Sequence, residues 1–298
     1  MVEIECPLCG KRTHSRVMFD QTVSSVAAAA PEGRRPHYRI VRCAECGIVY
    51  SNPIFPSKEV HTLYREASAL VSQPYDLEEE NVTCAYARHL RRAAELAPSR
   101  ERILDIGCGE GFSLGLCLRE GFREVYGVEP SAAAYDRAPP DLRRRIRNDV
   151  FCSSDYGEET FDVISCFHVL DHVVDPLGFV KGVRRCLKRG GVFLAVTHNI
   201  GSWLAAVLGE RWDPISTAHL TFFARDTLRK MCEKGGIEVR EVFSAANIYS
   251  LGHWVLRSPL PGRVKNGAGA VLSALRLSRL RLTLWVGNIG VVAQRPSR

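Results

Sequence analysis

From position 102 onward, short apolar runs alternate with stretches whose apolar residues recur at helical spacing. Residues 102–106, 125–128 and 146–150 read as strands, with a helix over 112–119 between the first two. Residues 161–166, 176–187 and 192–197 then give strand, helix and strand. A helix over 227–233, a strand over 237–243 and a short last strand over 289–293 complete the pattern. Such alternation predicts an α/β fold whose sheet is buried on both faces by helices.

Upstream, 57–67 and 85–97 carry helical spacing, and Pro98 closes the second helix. Residues 51–98 therefore read as a helical connector covering one end of a main domain over 99–298. Two segments interrupt that domain. Residues 198–223 are aromatic, with Trp203, Trp212, His219, Phe222 and Phe223, while 245–286 carries Trp254, Trp285 and a leucine-arginine run over 272–282. That run fits either an edge strand or an amphipathic helix. Packing against the sheet or a second subunit is the favoured role, with a membrane-surface helix as the alternative. Insertions at the carboxyl ends of strands are plausible walls of a ligand pocket.

Composition narrows the class. The 298 residues are 46% hydrophobic and 24% charged, with 40 Lys+Arg against 33 Asp+Glu, which excludes a disordered or fibrous chain. No run of apolar residues is long enough to span a bilayer, and Glu3 and Glu5 replace the basic start of a secretory leader. A cytoplasmic protein with reduced thiols is the expectation. The net charge of +7 is uneven: no acid follows Glu241, and eight bases from Arg257 to Arg298 leave the rest at −1. That basic section suits an anionic ligand, partner or surface as well as plain solvation.

Residues 1–50 are poor in core positions yet hold Cys6-Pro-Leu-Cys9-Gly10 and Cys43-Ala-Glu-Cys46-Gly47. Four soft thiolates in two Cys-x-x-Cys pairs match tetrahedral zinc, and a glycine after each pair permits the tight turn beneath a metal. With no open coordination position the ion would be structural, supplying folding free energy that the small unit otherwise lacks. Residues 24–36 between the pairs read as a loop.

The segment Asp105-Ile-Gly107-Cys-Gly109-Glu-Gly111-Phe112 sets three glycines between the first strand and the first helix. The spacing differs from the dinucleotide fingerprint G-x-G-x-x-G, and Glu110 is a poor neighbour for a pyrophosphate. Glu129 follows the second strand, eighteen residues beyond Gly111, where a carboxylate can accept from both hydroxyls of a ribose.

Asp105 to Gly111, Glu129, Asn148-Asp149, and 161–164 through Val169-Leu-Asp-His-Val-Val-Asp-Pro176 resemble the class I S-adenosylmethionine-dependent methyltransferases. The paired cysteines and the His219-Leu220…Phe222…Thr227-Leu228 stretch are similar to the small-molecule, natural-product subgroup with an N-terminal zinc unit. The resemblance implies a Rossmann-like, seven-stranded, mostly parallel sheet with an antiparallel last strand, preceded by a small zinc-binding module. It implies S-adenosylmethionine and structural Zn2+ as cofactors. Gly107, Gly109 and Gly111 would wrap the methionine part, Asp105 would help place its amino group, and Glu129 would hold the ribose. Asp149 and Val150 would meet the adenine, and Phe167 and His168 the methionine side.

Methyl transfer from a sulfonium is an in-line displacement for which positioning supplies much of the rate. Where a base is needed, His172 leads, followed by His168 and His219. Tyr64, Tyr75, Asn199, Trp203 and Trp212 are candidate substrate walls. A small-molecule acceptor reacting through O, N or C is the first expectation, without a nucleic-acid partner, in a monomer or homodimer. An RNA or DNA methyltransferase gripping the backbone through the zinc unit and the basic end is the alternative. Against it, residues 1–50 hold seven bases but also five acids, no obvious phosphate clamp.

Overall fold

The structure is a computed structural model and describes residues 1–12, 16–23, 36–66, 77–258 and 260–297. The expected loop over 24–36 lies almost wholly outside the described residues, as does Tyr75; of Tyr64 only the backbone is described. Three strands open the chain: β1 (Arg16–Phe19), β2 (Ile40–Arg42) and β3 (Val49–Ser51). The central series is β4 (Arg102–Ile106), β5 (Glu124–Val128), β6 (Ile146–Arg147), β7 (Phe161–Phe167) and β8 (Leu187–His198). The remainder are β9 (Thr221–Phe222), β10 (Glu238–Ser244), β11 (Asn247–Ser250), β12 (Arg281–Leu284) and β13 (Asn288–Gln294).

Seven strands form one sheet in the order β10-β13-β8-β7-β4-β5-β6. Pairings from β8 through β7, β4 and β5 to β6 are parallel, whereas β13 runs antiparallel to both β8 and β10. This is the expected Rossmann-like, mostly parallel sheet with its antiparallel last strand. Strands β4, β7 and β8 are nearly continuous apolar runs because both faces are covered. One face packs on helices Pro176–Cys186 and Arg225–Lys234, which bury Val180, Val183, Leu228 and Met231. The first of these starts where Asp175 accepts from Gly178 N–H at 2.8 Å and Pro176 takes the first turn. The other face packs on helices Phe112–Arg119 and Leu77–Leu96, which bury Leu114, Cys117, Leu90 and Ala93. The chain goes out from β4 to β5 and β6, then returns on the other side of β4 to β7, so the order reverses beside the carboxyl end of β4.

The N-terminal strands form a second sheet, β1-β2-β3-β9, whose last strand comes from the 198–223 segment: Val49 pairs with Phe222 and Tyr50 with Thr221. Cys6, Leu8, Val41, Ile48 and Tyr50 join the apolar cluster on one face of the large sheet.

Four local expectations differ. The strand expected over 146–150 stops at Arg147, because Asn148 Nδ2 donates to Glu129 C=O at 2.8 Å and Asp149 N–H turns back to Arg147 C=O. The strand expected to start at 192 begins at Leu187, which pairs with Phe161. The helix expected from 85 already begins at Leu77. The 272–282 run does not lie on the sheet: its helix ends at Ala274, Arg276 reverses the chain at φ 57°, and Leu275, Leu277 and Leu280 are exposed.

Candidate active site

Strand β4 ends in the glycine turn. Gly107, Gly109 and Gly111 sit at φ 73°, 56° and 90°, in the left-handed region that side chains disfavour. Gly107 and Cys108 donate their N–H groups to Val128 C=O at 2.8 and 3.3 Å, clamping the turn onto the end of β5. A Cβ on Gly107 would stand 2.3 Å from Val169 Cγ2, so the loop after β7 presses directly on the turn. Above Gly109 the space is open.

Glu129, one residue past β5, is 9% exposed and closes this crevice. Its Oε2 accepts from Gly109 N–H at 3.0 Å and its Oε1 from Ser131 N–H at 2.8 Å. Burial pushes its pKa up, opposed by these two donors. Each oxygen retains a further acceptor position. Asp105, at 1% exposure, accepts from Ser165 Oγ at 2.6 Å and from Ser113 Oγ. Burial pushes Asp105 up to about 6. Asp149 accepts from its neighbour Val150 N–H at 2.8 Å, and Asn148 links this bend to the Glu129 backbone.

An unpaid electrostatic cost at Asp105 gives a testable pH dependence. With a folded value of about 6 against an ordinary 3.8, the native state binds more protons between those limits, so stability falls as pH rises through that window. The cost is fully present above it and absent below about 4, roughly 2–3 kcal/mol. Asp105→Asn is therefore expected to be the more stable protein near neutral pH and to lose that advantage near pH 4 in chemical denaturation. An advantage of equal size at both pH values would refute it.

Beyond β7 the chain brings four histidines around Asp171. His168 is held at φ 55°, a strained conformation for a residue with a side chain. Its N–H donates to Val196 C=O at 2.7 Å and its Nε2 pairs with Tyr86 Oη at 2.7 Å. Tyr86 in turn stacks on Phe167, ring centroids 4.8 Å apart. Asp171 is 1% exposed, and its Oδ2 pairs with His198 Nδ1 at 2.7 Å. His219 Nε2 lies 3.9 Å from Oδ2 and His172 Nε2 4.0 Å from Oδ1. His172 Nδ1 is 2.7 Å from Ala218 C=O. A carbonyl only accepts, so Nδ1 carries the hydrogen and Nε2 is the nitrogen left to take a proton.

The electrostatics divide these groups. Burial alone would raise Asp171, yet His172, His198 and His219 hold it well below the carboxylate range, so it is ionised. Burial lowers His168 to about 3 and drives His219 well below the usual imidazole value. Trp212 meets His198 edge-on at 6.1 Å, whereas Trp203 is 62% exposed and Asn199 accepts from Gly201 N–H.

The structure thus brings Asp105, Gly107, Gly109, Gly111 and Glu129 to one crevice, with Phe167 at the end of β7 and His168 and His172 on the loop after it. The residues that sequence reasoning passed over are Asp171, His198 and Tyr86. Asp171 lies inside the motif quoted for the resemblance; no local signal marks His198 as its partner or Tyr86 as the partner of His168.

A model of the methyltransferase domain family matches residues 79–242, more than half of the chain and all of this crevice. The chain belongs to that family. This methyltransferase is 30% identical over 148 residues to the ubiquinone biosynthesis O-methyltransferase of Psychrobacter arcticus, covering 45% of this chain and 56% of that protein. The namesake from Aromatoleum aromaticum is 28% identical over 173 residues, covering 51% and 73%. The chain spans 56% and 62% of the lengths of two such relatives, the second from Idiomarina loihiensis. A chain of the Haloferax volcanii complex of the Trm112 methyltransferase activator superposes with TM-score 0.54 at 19% identity, covering 79% of this chain and 98% of that one. The [4+2]-cyclase SpnF superposes with TM-score 0.51 at 18% identity, covering 83% and 98%. These likenesses concern the fold, which does not fix the chemistry.

Apart from this crevice, Cys6, Cys9, Cys43 and Cys46 gather with all four sulfurs within 4.8 Å of one another. None is in a disulfide. Cys6 and Cys46 Sγ lie 3.5 Å apart and Cys9 and Cys43 Sγ 3.7 Å. A tetrahedron with Zn–S bonds of about 2.3 Å has edges of about 3.8 Å, so the donor set fits a four-thiolate ion.

Proposed function

We propose that this methyltransferase moves the methyl group of S-adenosylmethionine to a small-molecule acceptor with an oxygen, nitrogen or carbon nucleophile. The observation that carries this reading is the Gly109 N–H to Glu129 hydrogen bond of 3.0 Å, which puts the glycine turn and a buried carboxylate in one crevice. When bound, S-adenosylmethionine supplies an electrophilic methyl carbon on a sulfonium. Glu129 takes the ribose hydroxyls, the open backbone over Gly109 admits the methionine part, and Asp105 orders the amino end through its surroundings. Asp149 and Val150 meet the adenine, and Phe167 and His168 the methionine side.

For an acceptor that arrives protonated, His172 is the base. Burial disfavours the charged forms of His168 and His219 and makes them weak proton acceptors, whereas an imidazolium at His172 would face the ionised Asp171. The named activity of the ubiquinone biosynthesis relatives supports a small-molecule acceptor. Calorimetric titration of the purified chain with S-adenosylhomocysteine tests the reading: saturable binding at one site is expected, and no binding overturns it.

The four-cysteine cluster is proposed to hold one structural Zn2+, placing the chain in the zinc-bearing subgroup as a division of 1–50, 51–98 and 99–298. The close approach of the four sulfurs supports it. Elemental analysis is expected to find one zinc per chain, falling toward zero in Cys43→Ser together with a lower melting temperature. Full zinc retention in that variant would remove the cluster as the site.

A further inference from the structure

Between β10 and β13 the chain leaves the large sheet and builds a separate unit from β11, β12 and two helices, Leu251–Arg257 and Gly262–Ala274. The unit is fastened internally: Leu251 N–H donates to Leu280 C=O at 2.8 Å, Gly252 N–H to Ser278 C=O at 2.9 Å, and Trp254 Nε1 to Leu282 C=O at 3.3 Å. Strand β11 packs on helix Leu77–Leu96, the element that carries Tyr86 to His168.

Several of its apolar side chains are exposed. Val264, Val271 and Leu275 are 50%, 57% and 61% exposed, and their spacing of seven and four residues lines them along one side of the helix. Leu256, Leu280 and Trp285 are similarly exposed, at 63%, 52% and 61%. Arg263 and Lys265 flank Val264 on either side, and Arg276 and Arg279 follow in the turn. No acid follows Glu241 in the sequence.

We propose that this face docks onto an anionic lipid bilayer, seating the valine-leucine line and Trp285 among the outer acyl chains while the bases meet headgroup phosphates. Charge selects the occupant. A two-fold contact with a second copy would set the same bases against themselves. A nucleic-acid strand would meet the bases but leave the aliphatic line in water. A bilayer surface satisfies both halves of the face. No helix among the described residues is long and apolar enough to cross a membrane, so the unit lies on the surface. The inference goes beyond methyl transfer and stands apart from it.

Vesicle co-sedimentation tests it, with the full chain mixed with phosphatidylcholine vesicles that contain or lack phosphatidylglycerol, at about 0.1 M salt. The expected result is partitioning at least about tenfold stronger onto the anionic vesicles. Val271→Asp with Leu275→Asp, and separately Arg276→Glu with Arg279→Glu, are expected to abolish that preference. Unchanged far-ultraviolet circular dichroism and melting temperature show that these variants remain folded. Failure to sediment with anionic vesicles, or wild-type partitioning by the aspartate variant, overturns the proposal. So does a wild-type dimer in light scattering that the aspartate variant converts to monomer, since the face then belongs to a second copy. None of these readings depends on cofactor binding, so the docking surface and the catalytic assignment fail separately.

Discussion

Glu129→Gln is expected to bind S-adenosylhomocysteine at least about a hundredfold more weakly than the wild type, close to 2.7 kcal/mol. The carboxylate accepts from Gly109 N–H at 3.0 Å and from Ser131 N–H at 2.8 Å, and its remaining acceptor positions are those proposed for the ribose. An amide of the same shape has only one accepting oxygen. Its NH2 must then face either a backbone N–H, leaving that donor unsatisfied and the turn displaced, or the ribose. Hydrogen bonds to a charged group contribute about 1.5–3 kcal/mol each, so the loss of even one accounts for the expected change. Glu129→Asp keeps the charge but withdraws it, and should fall between the two. Titration well below the melting temperature of each variant separates lost affinity from lost folding. An affinity within about threefold of wild type, or roughly 0.7 kcal/mol, in the glutamine variant would dismiss Glu129 from the cofactor site and the crevice with it.

How much of this was written in the chain depends on sequence distance. The glycine turn and Glu129 were legible because the β4–helix–β5 crossover is local, and two parallel strands with one short helix between them leave few places for a carboxylate that follows the second strand. The four cysteines were legible for a similar reason, each pair being a local turn. His168, His172 and His219 were candidates, but their gathering with His198 on Asp171 was not legible. Asp171 and His172 follow β7, His198 ends β8, and His219 precedes β9. They meet through two long-range events: the β7–β8 pairing, and the turning back of the 198–223 segment so that Leu220 and Thr221 donate their N–H groups to Asp171 C=O at 2.8 and 3.1 Å. The latter places Phe222 against Val49 in a sheet with the N-terminal unit, a partnership that no periodicity announces. The leucine-arginine run departs from the expected packing on the sheet for the opposite reason. Leucines at helical spacing predict burial, but Arg276 reverses the chain and the run is divided between a helix end and a separate two-stranded sheet.

His172→Ala is expected to lower kcat by about 10²–10⁴ for an acceptor that arrives protonated, with cofactor affinity unchanged. The Nδ1 hydrogen of His172 is committed to Ala218 C=O at 2.7 Å, so a proton taken from the acceptor goes to Nε2. The resulting cation faces the ionised Asp171 at 4.0 Å, in a setting where burial strengthens the attraction relative to water. Asp171→Asn keeps the shape and can still accept from His198 Nδ1, but it removes the negative charge that stabilises the imidazolium. Its kcat should fall too, by less than in His172→Ala. Chemical rescue distinguishes a base from a packing residue. Added imidazole should restore part of the kcat of His172→Ala, because a diffusible base can take the proton in place of the missing ring, and should leave the wild type unchanged. A His172→Ala variant that imidazole does not rescue, with KM raised alongside the loss of kcat, would show that His172 holds the loop in place and that another group receives the proton.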